Sequence, residues 1–175
     1  MLALLLLAAA AYAQTPASGP SDQKPGSMLF YNIYTSEIGN PASNTRINIT
    51  NTSTTRDVAV HLFFLNGSNC SPADTFVCLT KNQTFSFLAS DYDPGVTGFI
   101  IAVAVNIDGL PLDHDFLIGD LYVKMNYNGK YYQANLGAEA FEAQFPGGDG
   151  SVGFVHPNDS TIACLTYGTN LGGLG

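Results

Sequence analysis

Apolar and polar residues alternate with a period of two in one short segment after another, and no other feature restricts the possible folds of this chain so tightly. In Arg46-Ile47-Asn48-Ile49-Thr50 the two isoleucines fall on one face and the polar residues on the other, the pattern of a half-buried strand. Residues 57–65 place Val58, Val60, Leu62 and Phe64 together, and residues 84–88 do the same with Phe85 and Phe87. Segments 28–34, 98–105, 116–125, 130–133, 151–155 and 161–166 read as further strands. Many short strands separated by turn residues predict an all-β fold, an antiparallel β-sandwich of Ig-like or jelly-roll-like type. Asn51-Thr52-Ser53-Thr54 and Asn126-Tyr127-Asn128-Gly129 are expected to be hairpin connections, the second because Asn-Gly accepts positive φ. One short helix is expected over 136–144, where Ala138, Glu139, Ala140 and Glu142 are good helix formers and Pro146-Gly147 supplies a stop.

Residues 1–13 are nearly all Leu and Ala and end in Ala11-Tyr12-Ala13, the small-x-small pattern cut by a signal peptidase, so they read as a signal peptide. The expected organisation is a flexible lead rich in Pro, Ser and Gly over 14–26, a sandwich domain over 27–167 and a Gly-rich tail over 168–175. No transmembrane segment is expected in the mature chain, because its longest apolar run, 99–105, has the length of a buried strand. A net charge of −8 with only six Lys and Arg disfavours nucleic acid and anionic lipid as partners. With 11% charged residues, solubility falls to Asn, Thr, Ser and Gly, a composition that suits a secreted or cell-surface protein.

In an oxidising compartment Cys70 and Cys78 are expected to pair across the intervening loop, for about 2.5 kcal/mol on the loop-entropy model. Cys164 is then an unpaired thiol, either a small buried hydrophobe on a strand or the site of an intermolecular bridge. His61, His114 and His156 have no zinc-like spacing to the cysteines. The aspartates offer a different chemistry. Asp91, Asp93, Asp113 and Asp115 put oxygen ligands on loops, where calcium could gather them, although their spacing is not that of an EF-hand and each suits an ordinary turn. No other cofactor is indicated. An acid pair for glycoside hydrolysis could be drawn from the same residues but lacks a visible cleft.

Gly148-Asp149-Gly150-Ser151-Val152-Gly153 spells a dinucleotide fingerprint, but a turn precedes it and a strand pattern follows, so it reads as a glycine-rich turn. His114, flanked by Asp113 and Asp115, reads as a solvated loop histidine, since sequence neighbours on an extended chain point to opposite faces. Sequons at Asn48, Asn51, Asn66, Asn82 and Asn158 are consistent with an exposed secretory surface. The aromatic residues, including Tyr31, Tyr34, Tyr92, Tyr122, Tyr127, Tyr131 and Tyr132, could form a glycan-stacking platform, although core and cross-strand packing is their usual role and the absence of Trp weakens the glycan reading.

The stretches Ser27-Met28-Leu29-Phe30-Tyr31-Asn32, Asn44 through Thr52, His61-Leu62-Phe63-Phe64 and Phe116-Leu117-Ile118-Gly119-Asp120 resemble a group of uncharacterised secreted bacterial β-rich proteins. That resemblance implies export and a β-rich fold and brings no site residue with it. Should those relatives run longer, the lack of a basic residue before the apolar run, where Leu2 follows Met1 directly, and the Gly-rich end both suggest a fragment. The function expected is that of an exported non-enzymatic structural or surface protein, an adhesion module or filament subunit that contacts a protein partner or assembles with itself. Assembly would involve residues 14–35, as a strand added to a neighbour, or Cys164. The alternative is a secreted module that binds a glycan or calcium.

Overall fold

A computed structural model describes residues 20–40, 42–106 and 109–143. The strands are β1 (Met28–Thr35), β2 (Asn44–Asn51), β3 (Val58–Asn66), β4 (Pro72–Leu79), β5 (Thr84–Leu88), β6 (Thr97–Val105), β7 (Leu117–Tyr127), β8 (Lys130–Gly137) and β9 (Glu139–Phe141). Sheet A has the order β4-β3-β6-β1-β9 and sheet B the order β5-β2-β7-β8. Every strand pairing within the two sheets is antiparallel. The expected all-β antiparallel sandwich is therefore the fold.

Alternation dictates the layers. Ile47 and Ile49 of β2, Leu121 and Val123 of β7 and Phe87 of β5 face inward from sheet B. They meet Leu29, Tyr31 and Tyr34 of β1, Val60, Leu62 and Phe64 of β3, and Ile100 of β6. Each of the large aliphatic or aromatic side chains in this layer contributes roughly 1.5–3 kcal/mol by leaving water. Tyr31 is wholly buried, and its hydroxyl crosses the core to donate to the Asn48 carbonyl at 2.9 Å. It passes directly over Gly119, where a Cβ would lie 2.0 Å from the hydroxyl oxygen, so only glycine fits there.

Three readings of the sequence are corrected. The 136–144 helix does not form: Leu136 and Gly137 continue β8, and Glu139–Phe141 pairs with the start of β1. Helix propensity loses to burial of Ala138 and Ala140 at period two and to pairing along β1. The helical geometry that does occur among the described residues is a single 3-10 turn at Ala89–Asp91. Residues 51–54 do not make a hairpin, because the neighbours of β2 are β5 and β7 and the chain crosses to β3 in the other sheet. Asn51 builds this arch, accepting from the Ser53 amide at 3.0 Å and donating to the Arg56 carbonyl at 2.7 Å. Strand β4 occupies a stretch that had read as the loop between two cysteines.

The Asn128-Gly129 hairpin does form between β7 and β8, with φ of 52° and 75° at its two central residues. Residues 20–26, within the expected flexible lead, are tied down in part. Ser21 exchanges backbone hydrogen bonds with Ala140 at 3.0 and 2.7 Å, and Gly26 does so with Leu117 at 2.9 Å. The strand patterns at 151–155 and 161–166, Cys164, His156 and Asn158 lie outside the described residues.

Candidate functional site

His114 and Asp115, and Asp91 and Asp93, are held in two separate polar clusters, at opposite ends of β1. At its beginning, the Ser27 hydroxyl donates to Asp115 Oδ1 at 2.6 Å and accepts from the His114 amide at 2.7 Å. Asp115 Oδ1 also accepts from the Ala143 amide at 2.8 Å. The His114 ring is buried, contrary to the solvated position expected, with Nε2 3.0 Å from Asn51 Oδ1. Asn51 uses its own amide hydrogens on the carbonyls of Arg56 and Thr80, so the imidazole must be the donor, with its proton on Nε2. Burial, with a smaller contribution from Arg56, lowers the His114 pKa to about 4, and Asp115 opposes this. Serine, histidine and aspartate thus meet here without forming a nucleophile and base. The histidine ring faces Asn51 while the serine hydroxyl is spent on the aspartate.

At the far end of β1, Tyr34 donates to Asp93 Oδ2, and the Ser36 hydroxyl donates to the Asp93 carbonyl. Burial first, and then the hydrogen bond to and charge of Asp93, raise the Tyr34 pKa. Asp91 Oδ2 accepts from the Leu88 amide at 3.0 Å and closes the 3-10 turn. Ser27 and Tyr34 stand at the two ends of an extended strand, more than about 20 Å apart at 3.3 Å per residue. Asp91 and Asp93 therefore cannot share an ion with Asp113 and Asp115. Among the described residues no three His, Cys, Asp or Glu side chains converge as a metal site.

The expected Cys70–Cys78 disulfide is overturned. Cys70 sits in the turn between β3 and β4 with φ 58°, whereas Cys78 lies far along β4 opposite Ala59. The seven extended residues from Pro72 to Cys78 separate them by about 20 Å, and a disulfide needs Cα atoms within about 7 Å. The sequence spacing suggested a loop where the chain runs straight. Among the sequons, Asn51 is wholly buried and Asn48 donates to Asp120 at 2.7 Å, so the first is a structural asparagine.

The two outer faces of the sandwich differ in character. Sheet A carries an apolar strip on its outer face as well: Phe63, Ile101 and Phe30 form one cross-strand row, ended by Asp74 and Glu139, with Val103 and Phe99 on either side of Ile101. All five are half-buried, and the Phe30 and Phe99 rings lie 5.7 Å apart. At the β4 margin His61 is stacked between Phe63 and Phe76, with ring centroids 3.9 and 4.0 Å away, and its Nε2 is 2.8 Å from Asp74. Alternation had identified the inward residues of these strands but had assigned no role to the outward ones. Sheet B is mixed outside, with Asn48 bonded to Asp120 and Ser86 and Thr50 to Thr84, beside the exposed Leu88, Ile118 and Tyr131. Among the described residues no helix is long and apolar enough to cross a membrane.

No protein-family model matches the chain, and no curated protein matches it either. Among solved structures, the chain is similar to the crystal structure of Thermotoga maritima 1070, with a TM-score of 0.51 and 13% identity. The match covers 69% of this chain and 98% of that one. At this identity the likeness is one of fold: two chains with little sequence in common share a β-sandwich.

Proposed function

We propose that the chain is an exported, non-enzymatic surface protein that works by protein contact, with the outer face of sheet A packing against a second copy of the same chain. The observation that carries this reading is the row Phe63, Ile101 and Phe30, flanked by Val103 and Phe99, on the side of sheet A turned away from the core. A sheet with one wet face normally alternates apolar and polar residues, and an apolar outer face of this extent marks an interaction surface. The five residues carry no charge themselves, and the exposed carboxylates at the two ends of their row, Asp74 opposite Phe63 and Glu139 opposite Phe30, leave the apolar centre as the surface on which two copies would meet. Four strands of about eight residues, with their flanking side chains, present on the order of 600 Å². Two copies would bury about 1,200 Å², the lower bound for a specific interface. The non-enzymatic part of the reading rests on His114, Ser27, Asp91, Asp93 and Asp115, whose polar atoms are engaged in holding turns and arches.

Light scattering of the purified chain over a range of micromolar concentrations tests the proposal. A mass above that of one chain, reduced to one chain by Ile101→Lys and left unchanged by Thr84→Lys on the other sheet, is the expected result. A parent protein that stays monomeric, or an Ile101→Lys variant that assembles like the parent, overturns it.

A further inference from the structure

The outer face of sheet B holds a hydrogen-bonded polar row and, beside it, a half that carries two cations around one aromatic ring. In the first, Ser86, Asn48 and Asp120 form a hydrogen-bonded row at 2.7 Å across β5, β2 and β7. In the second, Leu88, Arg46, Tyr122 and Asn135 form one cross-strand row and Asn44, Lys124 and Gln133 the next. Arg46 and Lys124 are exposed and have no ion pair among the described residues. They are two of only six basic residues in a chain of net charge −8. They flank one ring: Arg46 lies directly across from Tyr122, and the Lys124 ammonium is 5.7 Å from its centroid. The Tyr122 hydroxyl donates to Gln133 at 2.7 Å, which holds the ring in place. Shallow depressions of about 300 and 510 Å³ open on either side of Lys124, the first bordered by Arg46 and Tyr122 and the second by Tyr131 and Gln133.

We infer that this face binds an acidic glycan, a chain of uronic-acid type, with a sugar ring on Tyr122 and its carboxylate between Arg46 and Lys124. The chemistry selects this class. A cation on each side of an aromatic ring matches a carboxylate attached to a pyranose, whose CH face stacks on the ring while its hydroxyls meet Gln133 and Asn135. Asp120, the one carboxylate on the four strands of this sheet, is occupied by Asn48 and lies in the neighbouring row. A nucleic acid would need many more cations than this face provides and would meet the repulsion of the remaining surface. The site is on the opposite sheet from the apolar face, so it stands or falls independently of self-association.

Calorimetric titration of the full chain with an oligogalacturonate, a neutral cello-oligosaccharide and polyglutamate tests the inference. Saturable binding of the uronate alone is expected, weakened at least about tenfold by Arg46→Gln combined with Lys124→Gln, as loss of charge-assisted hydrogen bonds requires. Both residues are exposed, so an unchanged melting temperature should accompany that loss. Failure of the parent to bind the uronate, binding of the neutral sugar or polyglutamate as tight as that of the uronate, or an unaffected double variant would each overturn it.

Discussion

His114 makes the stability of this fold depend on pH in a window set by one buried side chain. An imidazole ordinarily titrates at 6.5, and burial beside Arg56 lowers that of His114 to about 4. Between these values the unfolded chain binds a proton that the folded chain refuses. The His114 contribution is therefore complete above about pH 6.5, falls as pH drops and levels off below about pH 4. At about 1.4 kcal/mol per pH unit, the difference is about 3 kcal/mol at most. Carboxylates in general protonate near the bottom of the same window, so the parent alone cannot isolate the histidine. His114→Gln removes the titration while keeping an N–H for Asn51 Oδ1. Urea denaturation of both proteins at several pH values between about 7 and 4 should show the parent losing up to about 3 kcal/mol more than the variant. Parallel losses would refute the buried neutral imidazole and, with it, the Asn51–His114 link between the arch and the loop before β7.

Gly119→Ala should destabilise the fold by about 1–3 kcal/mol, because the new methyl meets the Tyr31 hydroxyl. Tyr31→Phe should recover part of that loss in the double variant, as thermal or urea melts will show; a loss untouched by Tyr31→Phe would place the strain elsewhere. Cys70 is exposed at a turn, so its thiol should react in the native protein at the rate of an accessible cysteine. Cys70→Ser should change stability by less than about 0.5 kcal/mol, and a loss of 2 kcal/mol or more would indicate a disulfide after all.

What the sequence made legible was periodicity, and the reason is physical. The inward residues Val58, Val60, Leu62 and Phe64, or Ile47 and Ile49, must alternate because a strand buries every second side chain. Strands β1, β2, β3, β5, β6 and β7 accordingly fall within two or three residues of their expected positions. Long-range partners were not legible. Residues 136–141 carry helix formers, yet β1 offers them an edge and the core offers room for Ala138 and Ala140. Pro72 and Asp74 gave β4 the look of a loop, and the nearby cysteines reinforced it, although both residues suit the outward side of an edge strand. His114 resembled a loop histidine because its flanking aspartates are polar; burial came from Asn51, which is remote in sequence. The two outer faces were visible only as residues left over. Register is what collects Phe30, Phe63 and Ile101 on one side, and Arg46, Tyr122 and Lys124 on the other.

The most direct test of the account is a map of which face is covered when the protein is concentrated. Single cysteines at Phe63→Cys and Ile101→Cys on sheet A, and at Thr84→Cys on sheet B, can be placed in a background of Cys70→Ser, Cys78→Ala and Cys164→Ser. Their rates of thiol labelling would be compared in dilute and concentrated solution. The account predicts that positions 63 and 101 become protected as concentration rises while position 84 stays reactive. Equal reactivity of all three positions at every concentration, or protection of position 84 alone, would contradict it.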